Sequence, residues 1–449
     1  MSREEAAAPR PTLSLFDGLV MVVGMVVGIG IFATPSLVAQ FAGNSFNYLA
    51  LWLVGGLLAL NGALCYAELA TRFPSAGGEY NFLARAYGKN IALLFAWARC
   101  SVIQTGSIAL VAFVYGDYAQ SVLPLGAFGA ALHAALVIAV FTAINIAGTF
   151  QGALAQKLFT SLDMLALLSL LAAGVALMFG GSAAPAPVAA PSSGGGGMLG
   201  LAVVFVMLTY GGWNEIAYLS AELKDGKRNM VRVLVLSILA VTVLYFGVAT
   251  VYLQAVGFAA LTKSSAIAAD VMRAAFGPAG AVAIALFVCG SAISTLNATI
   301  FTGGRIYYAL GRDLPWLQTF GRWNQHGENP ANAFLLQGVV ALLLVLLAAF
   351  VGEGGFRTMV DYTAPVFWLF MILVGVSLFV FRRRGDGDPD HFRVPLYPVT
   401  PALFVATCVY MLYSSVDYVR EGTLAGLAVL LAGVPLLFMR GRSAPHPAE

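Results

Sequence analysis

Charge is scarce in this chain of 449 residues: Asp, Glu, Lys and Arg together make up 10% of it, while 60% is hydrophobic. A water-soluble protein of this length needs far more polar material to cover its surface, so the solvent for most of the chain is lipid. Cysteine is scarce too. Cys65, Cys100, Cys289 and Cys408 each lie within an apolar run and none has a CxxC neighbour, which argues against a disulfide framework and predicts buried thiols. His133, His326, His391 and His446 are far apart and three of them sit in loops or tails, so the spacing of a metal site is missing. No nucleophile-and-base pattern stands out either, and we expect neither an enzyme nor a bound cofactor or metal. Residues 1–15 are polar and Pro-rich with Glu4 and Glu5, unlike a cleavable signal peptide. No stretch is polar enough for a second, water-soluble domain.

What is present is a series of apolar stretches of about twenty residues or more, each long enough to cross a hydrocarbon layer of roughly 30 Å as a helix and too long for barrel strands. They lie near 15–40, 47–71, 91–118, 129–148, 152–181, 198–221, 230–256, 278–308, 331–351, 358–381, 399–416 and 421–440. The expected fold is therefore an all-α membrane protein of about twelve transmembrane helices. Basic residues fall on or beside one set of alternate loops, among them Arg382, Arg383 and Arg384 and the Lys224–Arg232 segment. The exceptions are Lys263, Arg273, Arg357 and Arg420, with Arg99 inside a span. The positive-inside rule then places both termini in the cytoplasm of a multi-pass plasma (bacterial inner) membrane protein, and the basic loops need no nucleic-acid partner.

The longest break in composition is Ser182–Gly197, rich in Ala, Pro, Ser and Gly and without charge, read as an extracellular loop. It divides a first half, 15–181, from a second, 198–381, with two further helices over 399–440 in one transmembrane domain. The first span of each half is interrupted by glycine: Val27-Gly28-Ile29-Gly30-Ile31-Phe32 in one, Thr209-Tyr210-Gly211-Gly212-Trp213-Asn214 in the other. Paired interruptions of this kind mark inverted-repeat carriers with a binding site at the membrane midplane. Where a helix unwinds in lipid, its N–H and C=O groups need partners from protein, water or a ligand. A zwitterion supplies both kinds, its carboxylate meeting freed amides and its ammonium meeting freed carbonyls.

These residues resemble the amino acid, polyamine and organocation superfamily, in particular bacterial relatives of L-type amino acid transporters. Gly28-Ile29-Gly30-Ile31-Phe32 with Pro35 resembles its first helix. Glu68-Leu69-Ala70-Thr71-Arg72-Phe73-Pro74 with Gly77-Gly78-Glu79-Tyr80 resembles the end of the second helix and the next loop. Tyr210-Gly211-Gly212-Trp213-Asn214, then Glu222 and Lys227-Arg228-Asn229, resembles the sixth helix and its exit, and Arg305 with Arg312-Asp313 and Pro315 the end of the eighth. The resemblance implies a five-plus-five inverted repeat with broken helices one and six, working by alternating access. Carried over by position, it implies that the substrate carboxylate meets the amides of Gly28, Ile29 and Gly30, and that the amino group meets carbonyls near Leu208, Thr209 and Gly211. Trp213 then bounds the side-chain pocket, with Gln104 and Thr105 facing it. Asp163 falls where many sodium-independent relatives carry a lysine. With Ser294 and Thr295 it is the candidate ion-coupling group, either as an oxygen site for Na⁺ or as a carrier of H⁺.

Charges within hydrocarbon cost at least about 2.5 kcal/mol at a helix centre, so those present should be paired or functional. Arg99 and Asp163 lie at similar depth, which makes a pair between them one expectation, with Asp163 then a counter-ion. Glu215, just past the second glycine break, is expected to face the outer vestibule. Glu68, Glu222 and Arg305 sit near helix ends, where structural salt bridges are expected. The function expected is secondary transport of small zwitterionic amino acids, with a cationic amino acid or polyamine antiporter and a non-transporting amino-acid sensor as the rivals. The partners expected are the amino-acid substrate and the lipid bilayer; nothing in the sequence points to a protein partner.

Overall fold

The computed structural model describes residues 14–74, 78–147, 153–179, 199–219, 223–313, 317–322, 329–351, 354–386, 390–418 and 420–437. The expected loop at 182–197 and Glu222 lie outside them, as do His326 and His446. In chain order the helices are α1 (Leu15–Val26), α2 (Gly30–Ala33), α3 (Pro35–Ala42), α4 (Ser45–Arg72), α5 (Gly78–Tyr87) and α6 (Lys89–Ala98). A π-helical segment, Arg99–Gln104, joins α6 to α7 (Thr105–Val122), and α8 (Gly129–Ala147), α9 (Ala153–Phe179) and α10 (Leu199–Thr209) follow. A 3₁₀ segment, Trp213–Leu219, precedes α11 (Gly226–Val256), α12 (Phe258–Leu261), α13 (Ile267–Asp313), α14 (Ala331–Val351), α15 (Gly355–Arg384), α16 (Val399–Tyr418) and α17 (Arg420–Leu431).

Among the described residues, 9 helical stretches are long and apolar enough to cross a membrane, and two shorter apolar helices, Ser161–Leu177 and Leu199–Thr209, accompany them. The ends follow local chemistry. Ser14 opens α1 with a capping box: its Oγ accepts from the Asp17 amide and the Asp17 carboxylate accepts from the Ser14 amide. Asn44 caps α4, its Oδ1 accepting from the Asn47 amide at 2.8 Å. Pro35 occupies the first turn of α3, and α13 is two helices meeting at Gly277, whose φ of 69° no helix accommodates. The glycine interruptions occur where the sequence places them: α1 stops at Val26 and resumes at Gly30, and α10 stops at Thr209 before the 3₁₀ segment begins at Trp213.

The packing repeats itself between the two halves. Helix α1 packs on α11 as α10 packs on α4; α7 packs on α8 as α13 packs on α14; α9 packs on α13 as α15 packs on α7. This correspondence is the five-plus-five arrangement, and it brings the two interruptions together: a Cβ on Gly30 would stand 3.0 Å from the Thr209 Cα. One end of the bundle gathers Arg72, Arg85, Arg382 and Arg384 and is called the basic end below. All four cysteines are buried and unpaired, as expected.

Candidate functional site

The site is built around backbone released by the two breaks. The Tyr245 hydroxyl, fully buried on α11, donates to the Val26 carbonyl at 2.8 Å and lies 3.3 Å from the Thr209 carbonyl, so one side chain serves the last turns of α1 and α10 together. Across the break, Thr34 Oγ1 donates to the Gly30 carbonyl at 3.0 Å and stands 2.5 Å from Thr209 Oγ1. The Tyr118 hydroxyl donates to the Phe32 carbonyl at 3.0 Å. Thr34, Thr209, Tyr118 and Tyr245 thus fasten the two breaks, and of the four only Thr209 stands out in the sequence, because the tyrosines' partners come from other helices.

Gly28, Ile29 and Gly30 form the turn between α1 and α2, and a Cβ on Gly28 would meet nothing within 4 Å, leaving open space beside the backbone where a ligand carboxylate is expected. Leu208, Thr209 and Gly211 line the facing break, with the Gly211 amide donating to the Leu208 carbonyl at 3.1 Å. The remaining expected residues are engaged within the protein. Gln104 donates to the Thr299 carbonyl of α13 at 2.7 Å, Thr105 donates to the Ser101 carbonyl at 2.9 Å, and both are buried. Trp213 packs edge-on against Tyr66 of α4, with ring centroids 5.0 Å apart, and against Phe404 of α16. The π-helical segment that carries Gln104 frees carbonyls of its own, and the Tyr307 and Tyr362 hydroxyls donate to those of Cys100 and Ser101.

Asp163 is 5% exposed on α9, within reach of Ser291 on α13 and near enough to Tyr245 on α11 for its charge to act on that hydroxyl. Its Oδ1 and the Ser291 Oγ are both buried without a hydrogen-bond partner among the described residues. Of the expected oxygen ligands, Ser294 is buried one turn along from Ser291, and the Thr295 carbonyl accepts from Thr299 Oγ1.

Two expectations about charge are corrected. Arg99 does not pair with Asp163: its guanidinium binds Glu79 at 3.0 Å and Glu215 at 2.9 Å, and Asp163 has no cationic partner among the described residues. Glu215 accordingly turns toward the basic end rather than the outer vestibule. Equal depth placed Arg99 and Asp163 at one level, but the rotation of each helix about its axis points them to different neighbours. Burial pushes the Glu79 carboxyl above its ordinary range, against the opposing pull of Arg99. Glu68 meets the structural expectation: fully buried, it takes two hydrogen bonds from Arg382, at 2.6 and 2.7 Å, and one from the Val394 amide at 2.7 Å.

Two facing helix breaks, held by side chains from a surrounding bundle and served by backbone donors and acceptors at mid-depth, define a carrier protein. Residues 13–425 match the amino acid permease family, and the chain belongs to that family, a family of transporters. It is 28% identical over 411 residues to the mouse b(0,+)-type amino acid transporter 1, covering 90% of this chain and 82% of that protein. Over 440 residues it is 25% identical to the serine/threonine exchanger SteT of Bacillus subtilis, covering 96% and 97%. The human cystine/glutamate transporter is 25% identical over 445 residues, covering 97% and 86%.

Proposed function

We propose that this protein exchanges or accumulates small zwitterionic amino acids across the plasma membrane by alternating access, with its basic end and both termini in the cytoplasm and without covalent chemistry. The observation that carries the reading is the meeting of two interrupted helices, with the amides of Gly28–Gly30 in one break and the carbonyls of Leu208–Gly211 in the other, a Cβ on Gly30 only 3.0 Å from the Thr209 Cα, and open space beside Gly28. A carboxylate suits the first group and an ammonium the second. The names of these relatives, one specifying serine and threonine and another cystine and glutamate, agree on an amino acid as the substrate and differ in its side chain. The pairing of Glu215 with Arg99 counts against a dicationic substrate, since it neutralises one of the two carboxylates that would attract a second positive charge.

The purified protein, screened by thermal shift against all amino acids and a series of diamines, tests the reading, because a ligand of the folded state raises its stability by RT ln(1 + [L]/Kd). Neutral amino acids are expected to stabilise it and to compete in proteoliposome uptake. Stabilisation by diamines alone would overturn the proposal, and binding without uptake would make the protein a sensor. Asp163 belongs to the same proposal as the ion-coupling group, with Na⁺ or H⁺ as the ion.

A further inference from the structure

Trp213, Asn214 and Glu215 are consecutive, and each fastens the segment after the α10 break to a different body. Trp213 packs between Tyr66 and Phe404. Asn214 donates to Glu79 Oε1 at 3.1 Å, and Glu215 receives Arg99 Nη2 at 2.9 and 3.2 Å. The Arg99 guanidinium is shared: its other arm binds Glu79 Oε2 on α5 at 3.0 Å. One cation on the π-helical segment of the α6–α7 span therefore ties a loop helix and the inner half of a broken helix into one charged cluster.

The two carboxylates are not held alike. Glu79 is 4% exposed and also accepts from the Tyr66 hydroxyl at 2.7 Å, so its place is fixed from three directions. The Glu215 side chain is 39% exposed, and Arg99 is its one partner among the described residues. Separating a buried, multiply bonded carboxylate from a guanidinium is costly, whereas water readily replaces a partner at a half-exposed one. A carrier whose site opens alternately must move the half-helix after the α10 break away from the helices that bound it.

We propose that Arg99 holds the cytoplasmic gate of this transporter shut through Glu215, the arm that releases in each cycle, while Glu79 keeps the guanidinium in place for reclosing. The inference rests on the sidedness proposed above but not on which amino acid is carried. Its consequence is that loss of the Glu215 charge shifts the resting population toward the inward-open form, leaving the fold intact.

The test reads accessibility on both sides of the membrane without substrate. Two single-cysteine proteins, in a background with the native cysteines replaced by alanine, carry Ala217→Cys behind the clamp or Ser36→Cys on the outer half-helix α3; both positions are buried in this structure. They are reacted with a membrane-impermeant maleimide from the matching side, with and without Glu215→Gln. The expected result is labelling at 217 faster by roughly two- to fivefold, the range for loss of a partly exposed ion pair, with labelling at 36 slower. Glu215→Asp, which keeps the charge, should restore most of the original rates. Unchanged rates at both positions would overturn the proposal. Faster labelling at both would also overturn it, since that is general loosening and not a shift between two states. Glu79→Gln serves as a second variant: it should lower the melting temperature more than Glu215→Gln does, and the reverse order would refute the division of roles.

Discussion

Gly30 has room for a hydrogen and little more: a Cβ would stand 3.0 Å from the Thr209 Cα and 3.2 Å from its Cγ2. The second and third heavy atoms of a valine must then push α2 away from α10, which separates the amides of one break from the carbonyls of the other. Gly30→Val is expected to abolish amino-acid stabilisation in a thermal-shift assay while the protein still inserts and purifies; a normal shift would place the site elsewhere. Glu68 gives a contrasting single-residue case. It is fully buried, and removing its charge leaves Arg382, at 20% exposure, facing an uncompensated gap, for a cost of about 3 kcal/mol. Glu68→Gln should therefore lower the melting temperature sharply without changing the ranking of substrates, and a changed ranking would move Glu68 from scaffold to site. Arg99 shows what sequence position leaves open. Its depth was readable by counting residues at 1.5 Å each, but its partners depend on the azimuth of the helix and on a π-helical turn that begins at Arg99 itself, which no pattern of apolar spacing encodes.

At the scale of elements, both breaks were legible because glycine is visible in sequence and an unwound helix in lipid has few other causes. Their supports were not. Tyr245 is one aromatic among many on a long apolar helix, and its role appears only once α11 is seen to pass behind both breaks. Ser291 does not stand out beside Ser294 and Thr295 for a similar reason: a hydroxyl-rich stretch shows that some oxygen faces inward, and only the rotation of α13 decides which. Gly212 is the hinge of the second break. Its φ of 105° lies in the region that favours glycine, and a Cβ there would overlap the Met25 carbonyl of α1. Gly212→Ala is expected to combine a backbone penalty of about 1–2 kcal/mol with that overlap, driving Trp213 and Glu215 out of register. Labelling at 217 should then rise even in the presence of Glu215, and unchanged labelling would show that the 3₁₀ segment is held independently of this turn.

For the whole molecule the open question is what drives uphill movement, and Asp163 is where a driving ion would act. The carboxylate lies on α9, its hydroxyl neighbour Ser291 on α13, and its charge acts on Tyr245 of α11, which holds the carbonyls of Val26 and Thr209. Helices of the surrounding bundle thus meet the two interrupted ones. A buried carboxylate with an oxygen that has no hydrogen-bond partner among the described residues is unfavourable unless a cation or a proton joins it. That partner would change the charge acting on the same tyrosine that ties the breaks together, so its arrival and departure would be felt at the substrate amides and carbonyls. Na⁺ suits the oxygen-rich surroundings, and H⁺ suits a carboxylate taken out of water. Under the proposed coupling role, Asp163→Asn removes the charge on which the ion acts and keeps the shape, so the path for exchange should survive while the gradient loses its handle. In proteoliposomes with Na⁺ and pH gradients imposed separately, the variant should lose most gradient-driven accumulation of a neutral amino acid and keep its exchange within about threefold, a change of under 1 kcal/mol. The gradient whose effect disappears identifies the ion, and accumulation equal to that of the unmodified protein would remove Asp163 from the coupling mechanism.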